Sequence, residues 1–116
     1  ERRPHSFTVR YYNPQGFDAT IYPDIVDLRF KNDTPRPFLI QTKIIGKKIA
    51  FEIYGSSDGR KVSVDGPYQY DQRANGAMKA YFARTIALTD GTEKTEKFYS
   101  VYRSVISAPQ AHNPLE

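Results

Sequence analysis

Two side chains near the start of the chain, His5 and Asp18, are of types that can move a proton together. In a nucleophilic site a histidine takes the proton of the nucleophile, and a carboxylate fixes the tautomer and orientation of that histidine. The sequence contains no cysteine, so a thiol nucleophile would have to come from outside this chain. The plainer interpretations are that Asp18 accepts backbone N–H groups where a strand begins after Gly16, and that His5 is a solvated surface residue.

A second candidate site is basic. The 116-residue chain has a net charge of +4, and this excess lies between Arg36 and Lys61, where six basic residues accompany two acidic ones. A basic strand pair can attract a nucleic acid, an acidic lipid or an anionic polymer. The alternative is a solvated outer face of a sheet. The candidate binding residues are Lys43, Lys47, Lys48, Arg60 and Lys61.

No metal site and no cofactor is predicted. The two histidines, His5 and His112, have no partners at ligand spacing and so make no zinc site. Asp27 and Asn32 bracket one predicted strand, but their spacing matches no calcium-binding loop. Most of the nine tyrosines are expected in the core or in cross-strand pairs, and any exposed ones could stack on sugar rings.

The elements that would position these groups are predicted to be β-strands. The chain is rich in Tyr and Phe, which favour strands, and short alternating segments recur between turn signals. A two-residue hairpin loop is expected at Gly46-Lys47, and a longer hairpin is expected to turn at 89–92. We therefore predict an all-β fold with a small antiparallel sheet, open-barrel or sandwich-like, and a long C-terminal β-hairpin. The predicted strands cover residues 6–12, 17–22, 28–31, 38–45, 48–54, 61–64, 78–88 and 93–105.

The chain has the length of one domain with its own core. A Gly- and Pro-containing stretch without an apolar period suggests an internal linker. No stretch approaches the roughly 18 apolar residues of a transmembrane helix. Because the chain starts without Met, we expect an excised fragment or a processed product, and the closing Leu115-Glu116 is as readily a cloning scar as native sequence. The predicted parts are a unit at 1–65, a linker at 66–77, a hairpin extension packed on that unit at 78–106, and a flexible tail at 107–116.

Several segments, in order, resemble the second half of the VanW-type domain, a family named for an accessory protein of vancomycin-resistance operons. The resemblance is close over residues 1–55 and looser over 78–105. The family's glycine-rich stretch with a single cysteine, followed by a helix, would lie before Glu1. The segments are Glu1-Arg2 with His5-Ser6, Gly16-Phe17-Asp18-Ala19-Thr20-Ile21, Asp27-Leu28-x-Phe30-x-Asn32-x-Thr34, and Phe51-Glu52-Ile53-Tyr54-Gly55.

This resemblance implies an extracytoplasmic, cell-envelope protein, secreted or membrane-anchored through another part of its parent protein, that acts near peptidoglycan. We expect a domain without catalytic activity of its own that binds or lies near an anionic wall component. A first alternative is a thiol acyl-transfer or peptidase site. With the family's upstream cysteine, His5 and Asp18 would follow the chain order of transglutaminase-like enzymes. A second alternative is binding of single-stranded nucleic acid, which is disfavoured because no aromatic ribonucleoprotein signature and no Gly-x-x-Gly clamp is present.

Overall fold

The computed structural model describes residues 1–7 and 13–105, and this part of the chain is all-β. Its strands form two antiparallel sheets, one with two strands and one with three in the order β3-β4-β5. The predicted fold class is confirmed, and neither sheet closes on itself. Within the described residues no helix is long and apolar enough to cross a membrane. The strands are β1 (Leu39–Ile45), β2 (Lys48–Tyr54), β3 (Lys61–Tyr70), β4 (Met78–Ala87) and β5 (Glu93–Tyr102).

The two-stranded sheet is the hairpin expected around Gly46-Lys47. Its register runs from Leu39 opposite Tyr54 to Ile45 opposite Lys48, which leaves a two-residue loop. Gly46 adopts φ +60°, the left-handed conformation that such loops require and that glycine takes at little cost. Neither strand of this hairpin packs against β3, β4 or β5, so both of its faces are open to solvent.

The three-stranded sheet contains the predicted long hairpin. β4 and β5 are joined by a turn at 88–92, in which Asp90 Oδ1 accepts a hydrogen bond from the Thr92 N–H at 2.9 Å. One face of this sheet, the inner face, carries Met78, Ala80 and Phe82 of β4 and is covered by the N-terminal segment. The opposite face, which we call the outer face, carries the side chains of the alternate residues.

The core is small and lies under the N-terminal segment. Among the described residues the buried apolar side chains are Met78, Ala80 and Tyr102. Gly16 sits on this core so closely that a Cβ added there would lie 2.7 Å from the Pro67 Cβ and 3.2 Å from the Ala80 Cβ. A glycine is therefore required where the chain crosses the inner face.

The predicted strands at 17–22 and 28–31 are wrong. Residues 17–38 form no strand, apart from an isolated bridge between Tyr22 and Val26. A few hydrogen bonds to the N-terminal residues replace a ladder. The Thr20 N–H donates to the Arg3 carbonyl at 2.7 Å. Arg29 and Glu1 exchange a pair: the Arg29 N–H donates to the Glu1 carbonyl at 2.9 Å, and the Glu1 terminal ammonium donates to the Arg29 carbonyl at 2.5 Å. Alternation of side chains alone cannot supply a neighbouring strand for these backbone groups.

Two further predicted boundaries differ. The strand expected at 61–64 continues to Tyr70, so the predicted linker at 66–77 begins inside β3 and only residues 71–77 connect β3 to β4. Pro67 is tolerated because β3 is an edge strand whose register shifts there. Of the strand predicted at 6–12, Phe7 forms an isolated parallel bridge with Arg103. Residues 8–12 and the tail predicted at 107–116 lie outside the described residues.

Candidate functional site

Asp18 lies at the centre of the predicted catalytic pair, and its side chain is only 2% exposed. Its Oδ2 accepts the backbone N–H of His5 at 2.8 Å and lies 2.8 Å from the His5 Nδ1. Its Oδ1 accepts the hydroxyl of Tyr102 on β5. The imidazole of His5 and the carboxylate of Asp18 therefore lie within hydrogen-bonding distance of one another.

Arg2 holds the segment that carries Asp18. Its Nε donates to the Asp18 carbonyl and its Nη2 to the Gly16 carbonyl, both at 2.7 Å. Nη2 also donates to the Ser100 Oγ at 3.0 Å, and the guanidinium lies 5.4 Å from the centroid of the Phe82 ring. The planar guanidinium of Arg2, with its several N–H donors, thus joins the N-terminal segment to β4 and β5.

The electrostatics around Asp18 favour its ionised form. Burial by itself raises the pKa of this carboxyl, but hydrogen bonds from the His5 backbone, the Tyr102 hydroxyl, the His5 ring and the Gly16 backbone outweigh it. Together they lower the pKa of Asp18 to about 2. Burial and the bond to Asp18 raise the pKa of Tyr102. The site therefore holds a permanent carboxylate next to the imidazole.

Counting residues along a regular hairpin from the turn at 13–16 places His5 several positions beyond Asp18. The structure differs because residues 17–22 form no regular strand. The chain instead crosses the inner face at Gly16 and lies beside the N-terminal segment, where the Thr20 N–H donates to the Arg3 carbonyl. Sequence reasoning assigned no role to Arg2 or Tyr102. For Arg2, the available sequence signal was the family resemblance, because the first matching segment is Glu1-Arg2 with His5-Ser6.

This arrangement can hold and orient an imidazole, but the chain has no cysteine to be activated. The catalytic assignment of His5 and Asp18 therefore stays a prediction. In the described part of the chain no cluster of three or more His, Asp or Glu side chains could hold a metal ion.

The five predicted binding residues do not form one surface. Lys43 and Lys48 share a face of the β1–β2 hairpin, and Lys47 lies in its loop. Arg60 and Lys61, by contrast, stand at the start of β3 in the other sheet. The structure therefore separates a hairpin group from a β3 group.

Carboxylates compensate only some of these charges. Lys43 Nζ lies 2.9 Å from a carboxylate oxygen of Glu52. Arg60 pairs with Asp58 at 2.6 Å and with Asp33 at 3.0 Å. Within the described ranges, Lys47, Lys48 and Lys61 form no ion pair with a carboxylate; all three are exposed.

An open cleft of about 740 Å³ separates residues 28–33 from one end of the inner face. Its apolar floor includes Phe82 and Phe98, whose rings stack with centroids 4.9 Å apart. Arg84 lines the cleft, pairs with Glu96, and has an Nε that is buried without a hydrogen-bond partner among the described residues. Most of the basic side chains around this cleft are already bound to carboxylates or carbonyls.

Residues 1–54 match the family described as VanW like protein, which confirms the resemblance over that part of the chain. The matched segment contains His5, Asp18 and the whole β1–β2 hairpin, and it ends before β3. No curated protein and no solved structure matches the chain.

Proposed function

We propose that this chain is a binding domain of the cell envelope, without catalytic activity of its own, that holds an anionic wall polymer at the loop end of the β1–β2 hairpin. The observation that supports this function is the position of Lys47 and Lys48 on a hairpin that packs against no other strand. In this proposal the domain works outside the cytoplasm, and any membrane attachment belongs to another part of the parent protein.

The charge of the hairpin is unbalanced towards its loop. Glu52 is its one acidic residue. The Tyr54 hydroxyl and the Lys43 ammonium bind that carboxylate and lower its pKa. Lys47 and Lys48 face solvent and have no carboxylate partner among the described residues. Exposed cations of this kind attract an anionic polymer over about a Debye length, roughly 8 Å at physiological ionic strength.

The β3 group contributes less to this function. Arg60 donates to Asp58 and Asp33, and the pKa of Arg60 is raised by the Asp58 hydrogen bond above all. Two of the five N–H groups of this guanidinium are thereby occupied, and two carboxylates compensate its charge, which weakens its attraction for a polymer phosphate. Lys61 is exposed but adjoins this neutralised cluster, so we assign the main contact to the hairpin.

The test measures binding of the purified chain to polyglycerol phosphate, a defined anionic wall-type polymer, at increasing salt. Affinity is expected to fall steeply with salt because exposed charges carry the interaction. Charge reversal in a Lys47→Glu, Lys48→Glu double variant is expected to weaken binding by about tenfold or more, since each site gains repulsion as well as losing attraction.

A double variant with the same change of net charge, Arg36→Glu with Lys94→Glu, is the matched control because both residues are exposed and lie outside the hairpin. It is expected to bind within about threefold of the unmodified chain. If both double variants weakened binding equally, binding would depend on the net charge of the chain and not on the position of Lys47 and Lys48. Salt-independent binding, or no binding at low salt, would contradict the proposal.

A second candidate function follows from the His5–Asp18 contact, which has the geometry of a base and its orienting carboxylate. In this candidate the chain supplies two members of a thiol site whose cysteine lies elsewhere in the parent protein. The test uses a parent protein that carries such a cysteine and follows the pH profile of its reaction with iodoacetamide. His5→Ala and Asp18→Asn are expected to slow that reaction and to shift the profile.

The control for this second test is Tyr102→Phe, which removes one donor to Asp18 but leaves the imidazole contact. It is expected to lower stability without changing the pH profile of the thiol. Unchanged thiol reactivity in both the His5 and Asp18 variants would leave Asp18 as a residue that only joins segments of the fold.

A further inference from the structure

The outer face of the three-stranded sheet displays four neighbouring tyrosines, Tyr68, Tyr70, Tyr81 and Tyr99, which we call the tyrosine platform. The ring centroids of Tyr68 and Tyr81 are 5.3 Å apart, those of Tyr81 and Tyr99 are 6.0 Å apart, and those of Tyr70 and Tyr81 are 5.9 Å apart. Tyr99 is 58% exposed, Tyr68 45% and Tyr70 40%. The rings lie next to one another across all three strands. Tyr81, at their centre, is half-buried, and the Lys97 Nζ lies 5.5 Å from the centroid of its ring.

A β-bulge places two of these rings on the outer face. Asp65 pairs with Ala83, but Tyr68 pairs with Tyr81, so the register of β3 shifts by one residue between them. Before the bulge the even-numbered residue Val64 lies opposite Arg84 on the inner face. A shift of one residue moves later side chains to the opposite face. Without it, Tyr68 and Tyr70 would point to the inner face.

The bulge requires glycine at its first residue. Gly66 has φ +109°, and a Cβ there would lie 3.1 Å from the Tyr81 carbonyl oxygen and 3.2 Å from the Phe82 Cα. Backbone therefore approaches backbone at the position that turns the tyrosines outward. Such irregularities commonly re-aim a side chain next to a functional surface.

The charges of this face indicate which ligand it suits. Lys61, Lys79 and Lys97 are its basic residues, and Arg73 adjoins it. The nearby acidic residues are Asp65, Asp71 and Glu93, of which Asp71 pairs with both Lys79 and Arg73. Nucleic-acid affinity depends chiefly on uncompensated cations that contact phosphates, and the basic residues at this face exceed the acidic ones by only one. The same balance makes it a poor surface for an anionic polymer.

The polar groups of the platform suit a ligand with hydroxyl groups. The Tyr68 hydroxyl donates to Asp65, and the Thr85 and Thr95 hydroxyls lie 2.8 Å apart on the same face. A tyrosine offers an apolar ring face and a polar tip. A pyranose ring has the complementary character, with C–H groups on one face and hydroxyls around its edge.

We propose that the tyrosine platform binds a neutral glycan whose sugar rings stack on its exposed rings, those of Tyr99, Tyr68 and Tyr70. This site is separate from the hairpin and does not depend on it. Stacking accounts for affinity, and the balanced charges exclude any large electrostatic share. Binding is therefore expected to be nearly independent of salt, in contrast to the polymer contact at the hairpin.

The test titrates the chain, labelled with ¹³C in its tyrosine rings, with cellotetraose and chitotetraose and follows the ring resonances by NMR. Shifts are expected at Tyr68, Tyr70 and Tyr99 with at least one of these neutral sugars, at both low and high salt. Tyr99→Ser is expected to weaken binding by about tenfold, the order of one lost stacking contact, and Tyr99→Phe to retain it within about twofold because the ring remains.

Two controls separate this site from the hairpin and from general loss of a tyrosine. Tyr22→Ser, at an exposed position outside the platform, is expected to leave glycan affinity unchanged, and so is the Lys47→Glu, Lys48→Glu double variant. A single-stranded oligo-dT serves as the competing probe. No ring shift with either sugar overturns the proposal, as does salt-sensitive binding of oligo-dT alone to these rings.

Discussion

Asp18 connects the N-terminal segment to β5 because its two carboxylate oxygens accept hydrogen bonds in different directions. Oδ2 accepts a hydrogen bond from the His5 N–H, and Oδ1 accepts one from the Tyr102 hydroxyl. Arg2 donates to the Asp18 carbonyl. A buried carboxylate is stable only when its oxygens are satisfied in this way. The same bonds that could orient an imidazole therefore also hold the fold together.

The first prediction concerns acid stability. The pKa of Asp18 is about 2 in the folded chain and close to 3.9 in an unfolded one. Since the folded value is the lower one, ionised Asp18 stabilises the fold fully above about pH 5, and this contribution is lost as the pH falls towards 2. Asp18→Asn is expected to lower the free energy of unfolding by on the order of 2 kcal/mol at pH 7, with the difference shrinking at low pH.

Urea unfolding at pH 7, 5 and 3 measures that difference. Asp24→Asn is the control, because Asp24 is exposed and its φ of 63° suits asparagine as well. Its free energy of unfolding should follow the unmodified chain at every pH. A gap between Asp18→Asn and the unmodified chain that stayed constant from pH 7 to 3 would show that ionisation of Asp18 does not stabilise the fold.

At the scale of elements, the two sheets differ in what supports them. β4 lies between β3 and β5 and has the N-terminal segment on one face. Among the described residues, the β1–β2 hairpin has no third strand and no covered face, and Ile44 near its loop is 81% exposed. An isolated two-stranded hairpin is marginally stable in water. The binding proposed for its loop end therefore belongs to the least supported element of the described chain.

The second prediction concerns the β3 bulge. Gly66→Ala is expected to lower the free energy of unfolding by about 2–3 kcal/mol, because alanine is strained at φ +109° and its Cβ meets the backbone of β4. Gly91→Ala is the matched control, since Gly91 also has a positive φ, +86°, but nothing lies within 4 Å of its added Cβ. It is expected to cost about 1 kcal/mol. Chemical unfolding measures both variants. If Gly66→Ala and Gly91→Ala lowered the free energy of unfolding equally, the close approach of Gly66 to β4 would not contribute to stability.

At the scale of the whole molecule, the described chain is elongated and has little core. Its extents are 59 × 33 × 27 Å and its radius of gyration is 17.9 Å, whereas a compact domain of this length has about 13 Å. The buried apolar side chains concentrate at Met78, Ala80 and Tyr102. Stability should therefore depend on this one region far more than on the many exposed apolar residues elsewhere.

The third prediction tests that concentration. Met78→Ala is expected to lower the free energy of unfolding by about 2–4 kcal/mol, because it leaves a cavity in the small core. Ile44→Ala, at an exposed apolar position of the hairpin, is expected to change it by less than about 0.5 kcal/mol. Thermal and urea unfolding measure both variants. A large decrease in the free energy of unfolding of Ile44→Ala would indicate that this face of the hairpin is buried in solution.

The sequence by itself determined the all-β class, both hairpins and their turns, because each depends on local rules. Gly46 supplies the left-handed φ of a two-residue loop, and alternation of side chains on both sides of 88–92 pairs β4 with β5. The sequence also indicated His5 and Asp18 as a possible pair and Lys47 and Lys48 as exposed cations. These were inferences from residue type and from the resemblance over residues 1–54.

Only the tertiary structure decided which segments find a partner strand and which face each side chain takes. Residues 17–22 and 28–31 have the pattern of strands, yet they make only a few backbone hydrogen bonds to the N-terminal residues, and the chain crosses the inner face at Gly16. That crossing brings His5 to Asp18, although a count along a regular hairpin separates them. Likewise, the register shift in β3 turns Tyr68 and Tyr70 outward. Both outcomes depend on contacts between distant parts of the chain, which local propensity cannot specify.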